Sequence, residues 1–233
     1  MEQRMKIIAI ITARGGSKRI PKKNIKEFLG KPMLAYAIEA AQKAKFFDTI
    51  MVSTDDTEIA QTAQKYGAQV PFMRSAKTSS DYAITYDVLE EVLTEYQKLN
   101  IHFDIVCCIY PCVPFLNGDS LKTAYKQMTE EKTDAIIPVC KYPVPIEWAM
   151  TITDRMLVPN DRKAQLIRSQ DLSPKYYDAG MFYFCKTASL FEYKTLVPPQ
   201  TAAYIIDERE CQDIDTVDDW KSAELKYKIL RGV

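Results

Sequence analysis

Short apolar runs alternate with amphipathic stretches along most of the chain, as expected for a sheet covered by helices. Apolar runs bounded by turn residues predict buried strands, and apolar positions three and four residues apart predict helices. The predicted strands are Lys6–Thr12, Thr49–Ser53, Ala68–Pro71, Ile105–Tyr110, Asp134–Val139, Ala179–Cys185 and Tyr204–Ile206. The predicted helices are Met33–Ala44, Ile84–Leu99, Gly118–Glu130, Val217–Leu230 and one that a capping box at Asp55 and Glu58 opens and that ends near Tyr66. This alternation predicts an α/β fold with a mostly parallel sheet between layers of helices.

One segment interrupts the alternation. Residues 141–175 contain Pro143, Pro145, Pro159 and Pro174 and show no clear periodicity. We interpret them as hairpins and loops inserted into a single domain that spans 1–233. A segment of this length without helices is typical of a functional or interaction surface.

Composition narrows the class of function. Apolar residues make up 47% of the 233 residues, enough for a packed core. The formal net charge is zero, so the chain lacks the positive field of nucleic-acid-binding proteins, and no nucleic-acid partner is expected. No run of about 18 apolar residues occurs, so no membrane span is expected. The opening Met1–Met5 lacks signal-peptide character and the 6 cysteines include no CxxC pair, which indicates a cytoplasmic protein with reduced thiols.

The segment after the first predicted strand is rich in glycine and positive charge. Residues 13–24 read ARGGSKRIPKKN, and their cations are Arg14, Lys18, Arg19, Lys22 and Lys23. Glycines let backbone amides approach an anion, and the cations neutralise it, so this segment is suited to phosphate groups. Neither the P-loop motif nor the dinucleotide fingerprint is present. A solvated basic turn is the alternative, although such a turn does not need the stiffening Pro21 or the interleaved Ile20 and Ile25.

A pair of aspartates lies near the other end of the chain. Asp213 and Asp215 flank Ile214 just before the last predicted helix. In extended backbone, residues two apart point the same way, so both carboxylates can face one point. Such hard oxygens suit Mg²⁺, which keeps waters and recruits substrate phosphates. Helix capping by Asp215 or Thr216 is the alternative, and it accounts for one carboxylate but not for both.

Taken together, these motifs resemble the acylneuraminate cytidylyltransferases, the family that makes CMP-sialic acids. The string ARGGSKRIPKKN carries most of the resemblance. The supporting segments follow in the family order along nearly the whole chain: Gly30–Met33, Val52–Asp56, Arg74, Ser80–Asp81 and Asp213–Thr216. Within the family, the chain is most similar to the pseudaminic acid branch, on the segments VPFMRS around Arg74, Tyr176–Gly180 and Gln212–Thr216.

The resemblance implies a three-layer, Rossmann-like nucleotidyltransferase fold that binds CTP. The residues implied to bind the nucleotide are Ala13, Arg14, Gly15, Gly16, Ser17, Lys18, Lys23, Asn24, Arg74 and Ser80. Arg14, Lys18 and Lys23 match positions that contact the triphosphate. Asn24 and Arg74 match positions near the cytosine and its ribose, with Ser80 close by. Asp81 is either a local orienting group or a cap for the helix that begins near Ala83.

The resemblance also implies a metal ion and a second subunit. Asp213 and Asp215 would hold Mg²⁺ on CTP, and together with Arg14 and Lys23 they form the implied catalytic set. The insertion 141–175 would extend to a second subunit and form a homodimer. The implied interface residues, for which packing onto their own domain is the alternative, are Trp148, Met150 and Ile152.

The chain departs from the sialic acid enzymes at two stretches that line the sugar pocket. It has Tyr110–Pro114 where they carry a Gln-Pro-Thr-Ser-Pro-like stretch, and Tyr177–Gly180 where they carry an Arg-Pro-Asn-Gly-like stretch. Tyr110, Tyr177 and Asp178 are therefore the implied sugar contacts. Apolar walls suit a deoxygenated 5,7-diacetamido nonulosonic acid better than sialic acid. Phe115 either extends this wall or belongs to the core.

The resulting hypothesis is a Mg²⁺-dependent cytidylyltransferase. It would transfer CMP from CTP to the anomeric hydroxyl of a nonulosonic acid, with pseudaminic acid first and sialic, legionaminic or deoxy-octulosonic acid as alternatives. Two other classes fit parts of the sequence. A glycosyltransferase also uses Asp-x-Asp pairs, and a regulator could bind a nucleotide without turnover. The hypothesis requires that Arg14 and Asp213 face one cleft.

Overall fold

The structure, a computed structural model, describes residues 4–232. The first three residues of the opening segment and the last residue of the expected domain therefore lie outside it. The strands are β1 Ile7–Thr12, β2 Glu27–Phe28, β3 Lys31–Pro32, β4 Thr49–Ser53, β5 Ile105–Ile109, β6 Ala135–Lys141, β7 Met150–Thr153, β8 Met156–Pro159, β9 Tyr176–Asp178, β10 Phe182–Lys186 and β11 Thr201–Ile205. The helices are α1 Met33–Ala44, α2 Thr57–Lys65, α3 Ala76–Ser79, α4 Thr85–Lys98, α5 Gly118–Glu130, α6 Thr187–Tyr193 and α7 Val217–Arg231.

A seven-stranded sheet forms the centre of the fold. Its order is β11-β6-β10-β5-β1-β4, with β9 paired to β6. β1 is parallel to β4 and β5, and β6 is parallel to β11, whereas β10 runs antiparallel between β5 and β6. The prediction of a mostly parallel sheet is confirmed. The carboxyl ends of β1, β4 and β5 meet at one edge, and β10 brings its amino end to the same edge, where the Tyr110 N–H donates to the Met181 carbonyl at 2.9 Å.

Helices cover both faces of the sheet, so the predicted layers are present. Alternate residues of β1 point to opposite faces. Ala9 and Ile11 pack against α1, α2 and α5, while Ile8 and Ile10 pack against α4 and α6. Burying each large apolar side chain of this kind contributes about 1.5–3 kcal/mol. The α1–α5 approach is so close that a Cβ on Gly118 would lie 2.7 Å from the Lys43 carbonyl carbon.

A third apolar cluster joins α7 to the β2–β3 hairpin. The ring of Phe28 makes edge contacts with Tyr36 and Trp220, at centroid distances of 5.5 and 5.4 Å. Ile214, which is 1% exposed, belongs to the same cluster as Ile20. The segment that carries the aspartate pair is therefore packed directly against the segment that follows β1.

The insertion 141–175 forms the hairpin β7–β8 and several short turns, as predicted. The two strands pair antiparallel, from Met150 opposite Pro159 to Thr153 opposite Met156. Trp148 is half-buried, and its indole N–H donates to the Ala164 carbonyl at 3.1 Å, so this side chain packs within the insertion. Met150 and Ile152 are exposed.

Some predicted elements differ from those observed. Ala68–Pro71 is not a strand, because it contributes only an isolated bridge between Gln69 and Met51. The strand expected at Ala179 starts at Phe182, since Gly180 makes a turn with a φ of 63°. The short helices α3 and α6 were not predicted.

Within residues 4–232, no helix combines the length and the apolar character that crossing a bilayer requires.

The cap of α2 was also predicted one residue early. Asp56, not Asp55, caps this helix, and its carboxylate accepts from the N–H groups of Glu58 and Ile59 at 2.8 and 3.0 Å. Asp55 instead accepts from the N–H of Gly15 at 2.8 Å. The sequence places two good capping residues side by side, and the tertiary contact with Gly15 decides between them.

Candidate functional site

Three adjoining cavities form one cleft at the edge where β1, β4 and β5 end. The loop cavity, of about 410 Å³, is lined by residues of the 13–24 loop together with Asp215. The Arg74 cavity, of about 390 Å³, shares Thr12, Arg14 and Pro111 with it. The tyrosine cavity, of about 440 Å³, contains Asp213 and shares Tyr110 with the Arg74 cavity. Arg14 and Asp213 thus face the same cleft, as the hypothesis requires.

Gly15 allows the loop to lie close against the end of β4. A Cβ at this position would lie 2.9 Å from the Cβ of Asp56, which is closer than real Cβ contacts allow. Ala13 is also held there, because its methyl group is in the core and its N–H donates to the Ser53 carbonyl at 3.0 Å. The N–H groups of these two residues hold the loop against Ser53 and Asp55, and their contacts to a nucleotide stay predictions. Gly16 and Ser17 do line the loop cavity.

Two carboxylates each bridge a pair of loop cations. Asp81 accepts from Arg14 at 2.8 Å through one oxygen and from Lys18 at 2.5 Å through the other. These contacts, with Lys18 first and then Arg14, lower the pKa of Asp81 below its usual value. On the other side of the cavity, Asp215 pairs with Arg19 at 2.8 Å and with Lys23 at 3.4 Å. The loop is thus held in place by ion pairs to two distant segments.

Lys23 connects the loop to the aspartate pair through the backbone as well. Its ammonium donates to the Ile214 carbonyl at 2.7 Å. This side chain is only partly exposed, so its charge acts in a medium less polar than water. Three of the four catalytic residues implied by the resemblance, Arg14, Lys23 and Asp215, therefore line one cavity. The fourth, Asp213, lines the tyrosine cavity.

The start of α7 decides between Asp215 and Thr216, the two residues expected as its cap. Thr216 is the N-cap, and its hydroxyl accepts from the Asp219 N–H at 3.1 Å. The Asp219 carboxylate in return accepts from the Thr216 N–H at 2.7 Å, which completes a capping box. Neither Asp213 nor Asp215 is used as a cap by its side chain.

Asp213 and Asp215 open onto neighbouring parts of the cleft. Asp215 is half-buried in the loop cavity, whereas Asp213 is exposed in the tyrosine cavity. Both carboxylates act on the nearby Cys112 thiol. Burial raises the pKa of this thiol to about 12, and the charges of Asp213 and Asp215 also raise it, whereas Lys23 lowers it. The two carboxylates therefore share one neighbourhood. Among residues 4–232, no cluster of three or more potential metal-ligating side chains occurs, so a bound cation would need further ligands from water or substrate.

Asn24 and Arg74 are buried beside the cleft. Asn24 is 4% exposed, and its amide donates to the Arg14 carbonyl at 2.8 Å while its oxygen accepts from the Cys112 thiol at 3.4 Å. Arg74 is 8% exposed and donates to the Ser53 hydroxyl and carbonyl at 3.0 and 2.7 Å. Burial lowers the pKa of its guanidinium, an effect that the nearby Asp55 carboxylate opposes. Both residues support the walls of the cleft, and their contacts to a nucleotide stay predictions.

The remaining nucleotide candidates lie around the Arg74 cavity. Ser80 lines it, and its hydroxyl donates to the Lys77 carbonyl at 3.0 Å. The two interpretations of Asp81 are now separated. The N-cap residue of α4 is Ile84, whose N–H donates to the carboxylate of Asp87 at 3.0 Å, so Asp81 does not cap this helix. Its carboxylate instead accepts from Arg14.

The tyrosine cavity brings together the three predicted sugar contacts, Tyr110, Tyr177 and Asp178. The Asp178 carboxylate is fixed on both oxygens, by the Gly180 N–H and the Tyr183 hydroxyl, each at 2.8 Å. Phe115, in contrast, is 2% exposed and packs in the cluster of Phe28 and Trp220. It belongs to the core.

Sequence reasoning missed three side-chain contacts that shape the cleft. Arg19 was counted among the loop charges, but its pairing with Asp215 depends on folding across the chain. Thr85 meets the Tyr110 hydroxyl at 3.2 Å, and Tyr183 holds Asp178. Alternation along β10 indicates which face Tyr183 occupies, whereas its hydrogen-bond partner depends on strand order.

Comparison with known proteins gives consistent matches. A family model described as cytidylyltransferase matches residues 8–226. The pseudaminic acid cytidylyltransferase of Campylobacter jejuni is 39% identical over 226 residues, which cover 97% of this chain and 97% of that protein. The CMP-N,N'-diacetyllegionaminic acid synthase of Legionella pneumophila is 30% identical over 94% of this chain and 95% of that protein.

A solved structure supports the fold independently. A CMP:2-keto-3-deoxy-manno-octonic acid synthetase complexed with CTP matches 98% of this chain and 100% of its own, with a TM-score of 0.67 and 18% identity. At that identity the match concerns the fold, and the expected Rossmann-like nucleotidyltransferase architecture is confirmed.

Proposed function

The chain belongs to the cytidylyltransferase family, and from this premise we propose that it transfers CMP from CTP to the anomeric hydroxyl of pseudaminic acid. The products are the CMP-sugar and pyrophosphate. The observation that carries the proposal is the single cleft in which the cationic loop and the aspartate pair lie side by side. A cationic loop alone would bind a triphosphate, and the acidic pair beside it suits a site for chemistry at the phosphates.

The cations of the loop cavity account for most of the proposed nucleotide binding. Arg14, Lys18 and Lys23 offer charged donors to phosphate oxygens, in line with their predicted role. Asn24 holds the backbone of Arg14 in place, so that its guanidinium is oriented before substrate arrives. Catalysis of phosphoryl transfer rests mainly on such positioning and on neutralisation of charge.

Asp213 and Asp215 are the proposed ligands of Mg²⁺. Their carboxylates are hard oxygen donors, and both act on the nearby Cys112 thiol. Two protein ligands suit Mg²⁺, which keeps waters and recruits substrate phosphates. When bound, the ion would offset charge on the triphosphate and help to align the α-phosphate. Lys23 would keep the Asp215 carboxylate oriented from the side of the loop.

The tyrosine cavity is the proposed sugar pocket. Its walls combine aromatic faces at Tyr110 and Tyr177 with the fixed carboxylate of Asp178. A carboxylate accepts hydrogen bonds, so Asp178 suits a donor such as a hydroxyl or an acetamido N–H of the sugar. The aromatic surfaces suit carbons that carry no oxygen.

The experiment is a coupled pyrophosphate assay with the purified protein, CTP, Mg²⁺ and a panel of nonulosonic acids. We expect pyrophosphate release with pseudaminic acid and a lower kcat/KM with legionaminic and sialic acids. Release with another sugar at a higher kcat/KM would reassign the substrate within the family. Binding of CTP without pyrophosphate release from any nonulosonic acid would refute the enzyme and favour a regulator. Sugar transfer without pyrophosphate would instead indicate a glycosyltransferase.

The insertion 141–175 is the proposed dimer interface. Its hairpin exposes several apolar side chains, namely Met150, Ile152, Met156, Leu157 and Val158. Met150, Ile152 and Leu157 share one face of this hairpin, and a group of exposed apolar side chains is typical of protein–protein contacts. A second copy of the chain is the proposed partner, as the resemblance to the dimeric family implies.

A further inference from the structure

We propose that Asp81 competes with the triphosphate for Arg14 and Lys18 and thereby limits the affinity of the site for both CTP and pyrophosphate. This inference rests on the proposed function, because it concerns the same loop cavity. Asp81 was expected to orient a neighbour or to cap a helix. Its position gives it a different and active part in the reaction cycle.

Asp81 contacts Arg14 and Lys18 in the way that a phosphate group would. One oxygen of Asp81 lies 2.8 Å from an Arg14 guanidinium nitrogen, and the other lies 2.5 Å from the Lys18 ammonium. A phosphate presents the same two features to such a pair, a negative charge and two acceptor oxygens in a fork. The Arg14 and Lys18 donors that now face Asp81 cannot also face a phosphate. A phosphate that takes these donors therefore competes with Asp81 for the same two charges.

The segment that carries Asp81 is suited to moving aside. Asp81 lies in a turn between α3 and α4, and its neighbour Tyr82 is 95% exposed. Ile84, two residues further on, is also exposed. Few packing contacts would be broken if this turn shifted, because segments with little buried apolar surface open at low cost. The Asp81 carboxylate is itself half-exposed, so its ion pairs are partly screened by water.

The same competition would act on the product. Pyrophosphate carries the charges that Arg14 and Lys18 bind, and a site that bound it too tightly would be slow to turn over. Asp81 can take back these two donors as pyrophosphate leaves, which favours release of pyrophosphate. Asp215, which bridges Arg19 and Lys23, does not share this role, since it is a proposed metal ligand.

A matched pair of variants tests the inference. Asp81→Asn removes the negative charge that pairs with Arg14 and Lys18, two cations that line the loop cavity. Glu58→Gln removes the negative charge that pairs with Lys22. Lys22 is a cation of the same loop, but it does not line that cavity. Both residues are exposed, so both variants should fold, and thermal unfolding followed by circular dichroism checks this. Titration calorimetry then measures the binding of CTP and of inorganic pyrophosphate without Mg²⁺.

We expect Asp81→Asn to bind both ligands about fivefold more tightly than the unmodified protein, as the loss of two exposed ion pairs allows. This gain should shrink at about 0.5 M salt, because screening weakens the competition. Glu58→Gln should stay within about twofold of the unmodified protein. In the turnover assay, Asp81→Asn should be more strongly inhibited by pyrophosphate. Asp81→Glu, which keeps the charge, should restore affinities near the original values.

Equal or weaker binding of both ligands by Asp81→Asn would overturn the inference and leave Asp81 as a positioning residue for Arg14. An equal gain in Glu58→Gln would also overturn it, because the effect would then be one of loop charge in general. These results differ from failure of the proposed function. If the unmodified protein binds neither CTP nor pyrophosphate, the function itself is refuted.

Discussion

Some residues of this cleft line its cavities, and others hold the lining residues in place. Arg14 and Lys18 were predicted from charge and glycine spacing alone, and they line the loop cavity. Gly15 was predicted from the same string, but its small size serves the contact with Asp56. Composition tells which chemistry a segment can offer. It does not tell which of several neighbouring residues the fold turns toward the ligand, because that depends on partners far away in the sequence.

Asp213 allows a test of the metal site that is separate from stability. Its carboxylate is exposed, and among residues 4–232 no side chain pairs with it, so Asp213→Asn should leave the midpoint of urea unfolding unchanged. Turnover should fall about a hundredfold or more, because a lost ligand to a catalytic cation removes several kcal/mol of transition-state stabilisation. Steady-state pyrophosphate release measures the effect.

The control for this variant is Asp218→Asn, which changes the same charge on α7 outside the cleft, where Asp218 pairs with Lys221. It should retain normal turnover. A rate for Asp213→Asn close to that of the unmodified protein would contradict the assignment of Asp213 as a metal ligand.

Among the elements, α7 positions the aspartate pair. Its Thr216 cap fixes where the extended segment 213–215 ends, and Trp220 anchors the helix in the cluster around Phe28. Long periodic elements such as α1 and α5 were predicted with their observed bounds, because their apolar faces pack on the sheet. The short helix α6 was missed, since one or two turns carry too little periodicity to be distinguished from a loop.

Removal of the α7 cap should weaken the fold in a pH-dependent way. Hydrogen bonds from the Thr216 hydroxyl, and then from backbone N–H groups, lower the pKa of Asp219. A carboxyl with a lowered native pKa contributes its full stability above the unfolded-state value of about 3.9, and this contribution is lost as the pH falls through the lower native value. Thr216→Ala should therefore cost about 1 kcal/mol at neutral pH. The deficit should shrink below about pH 4, as measured by urea unfolding at several pH values.

Asn117→Ala provides the comparison. Asn117 caps α5 with an uncharged amide oxygen, so its deficit should not depend on Asp219 and should persist at low pH. A deficit for Thr216→Ala that stays constant between neutral and acidic pH would show that the capping box does not act through the Asp219 charge.

For the molecule as a whole, the strand order determines where the site forms. Pattern and motif predicted a mostly parallel sheet, and the resemblance predicted which residues meet, but neither gave the position of β10 between β5 and β6. That insertion of an antiparallel strand brings Gly180 and Asp178 to the edge where the parallel strands end. Pairing between strands distant in sequence leaves no local trace along either strand, so the contacts of Tyr183 and Asp178 could not be predicted.

Association of the whole molecule can be tested at the hairpin. Ile152 is 71% exposed on β7, and Ile152→Asp would place an unpaired charge in the proposed interface. The proposed dimer should weaken about a hundredfold or more, because burying such a charge costs several kcal/mol. Sedimentation equilibrium measures the shift from dimer to monomer.

Leu225→Asp makes an equivalent change on α7, where Leu225 is 63% exposed outside the insertion. This variant should remain dimeric. Equal masses for the unmodified protein and Ile152→Asp would contradict the proposed interface, whether both were monomers or both were dimers.

The ion pair between Lys23 and Asp215 spans 192 positions of the chain. Ribosomes make polypeptides from the amino end, so the cationic loop emerges early while its acidic counterpart does not yet exist. A nascent chain stalled before residue 213 lacks both the carboxylate that fixes Arg19 and Lys23 and the helix packed over Phe28. We therefore expect the proposed site to be completed late in translation, and fragments released before residue 213 to be unable to turn over CTP.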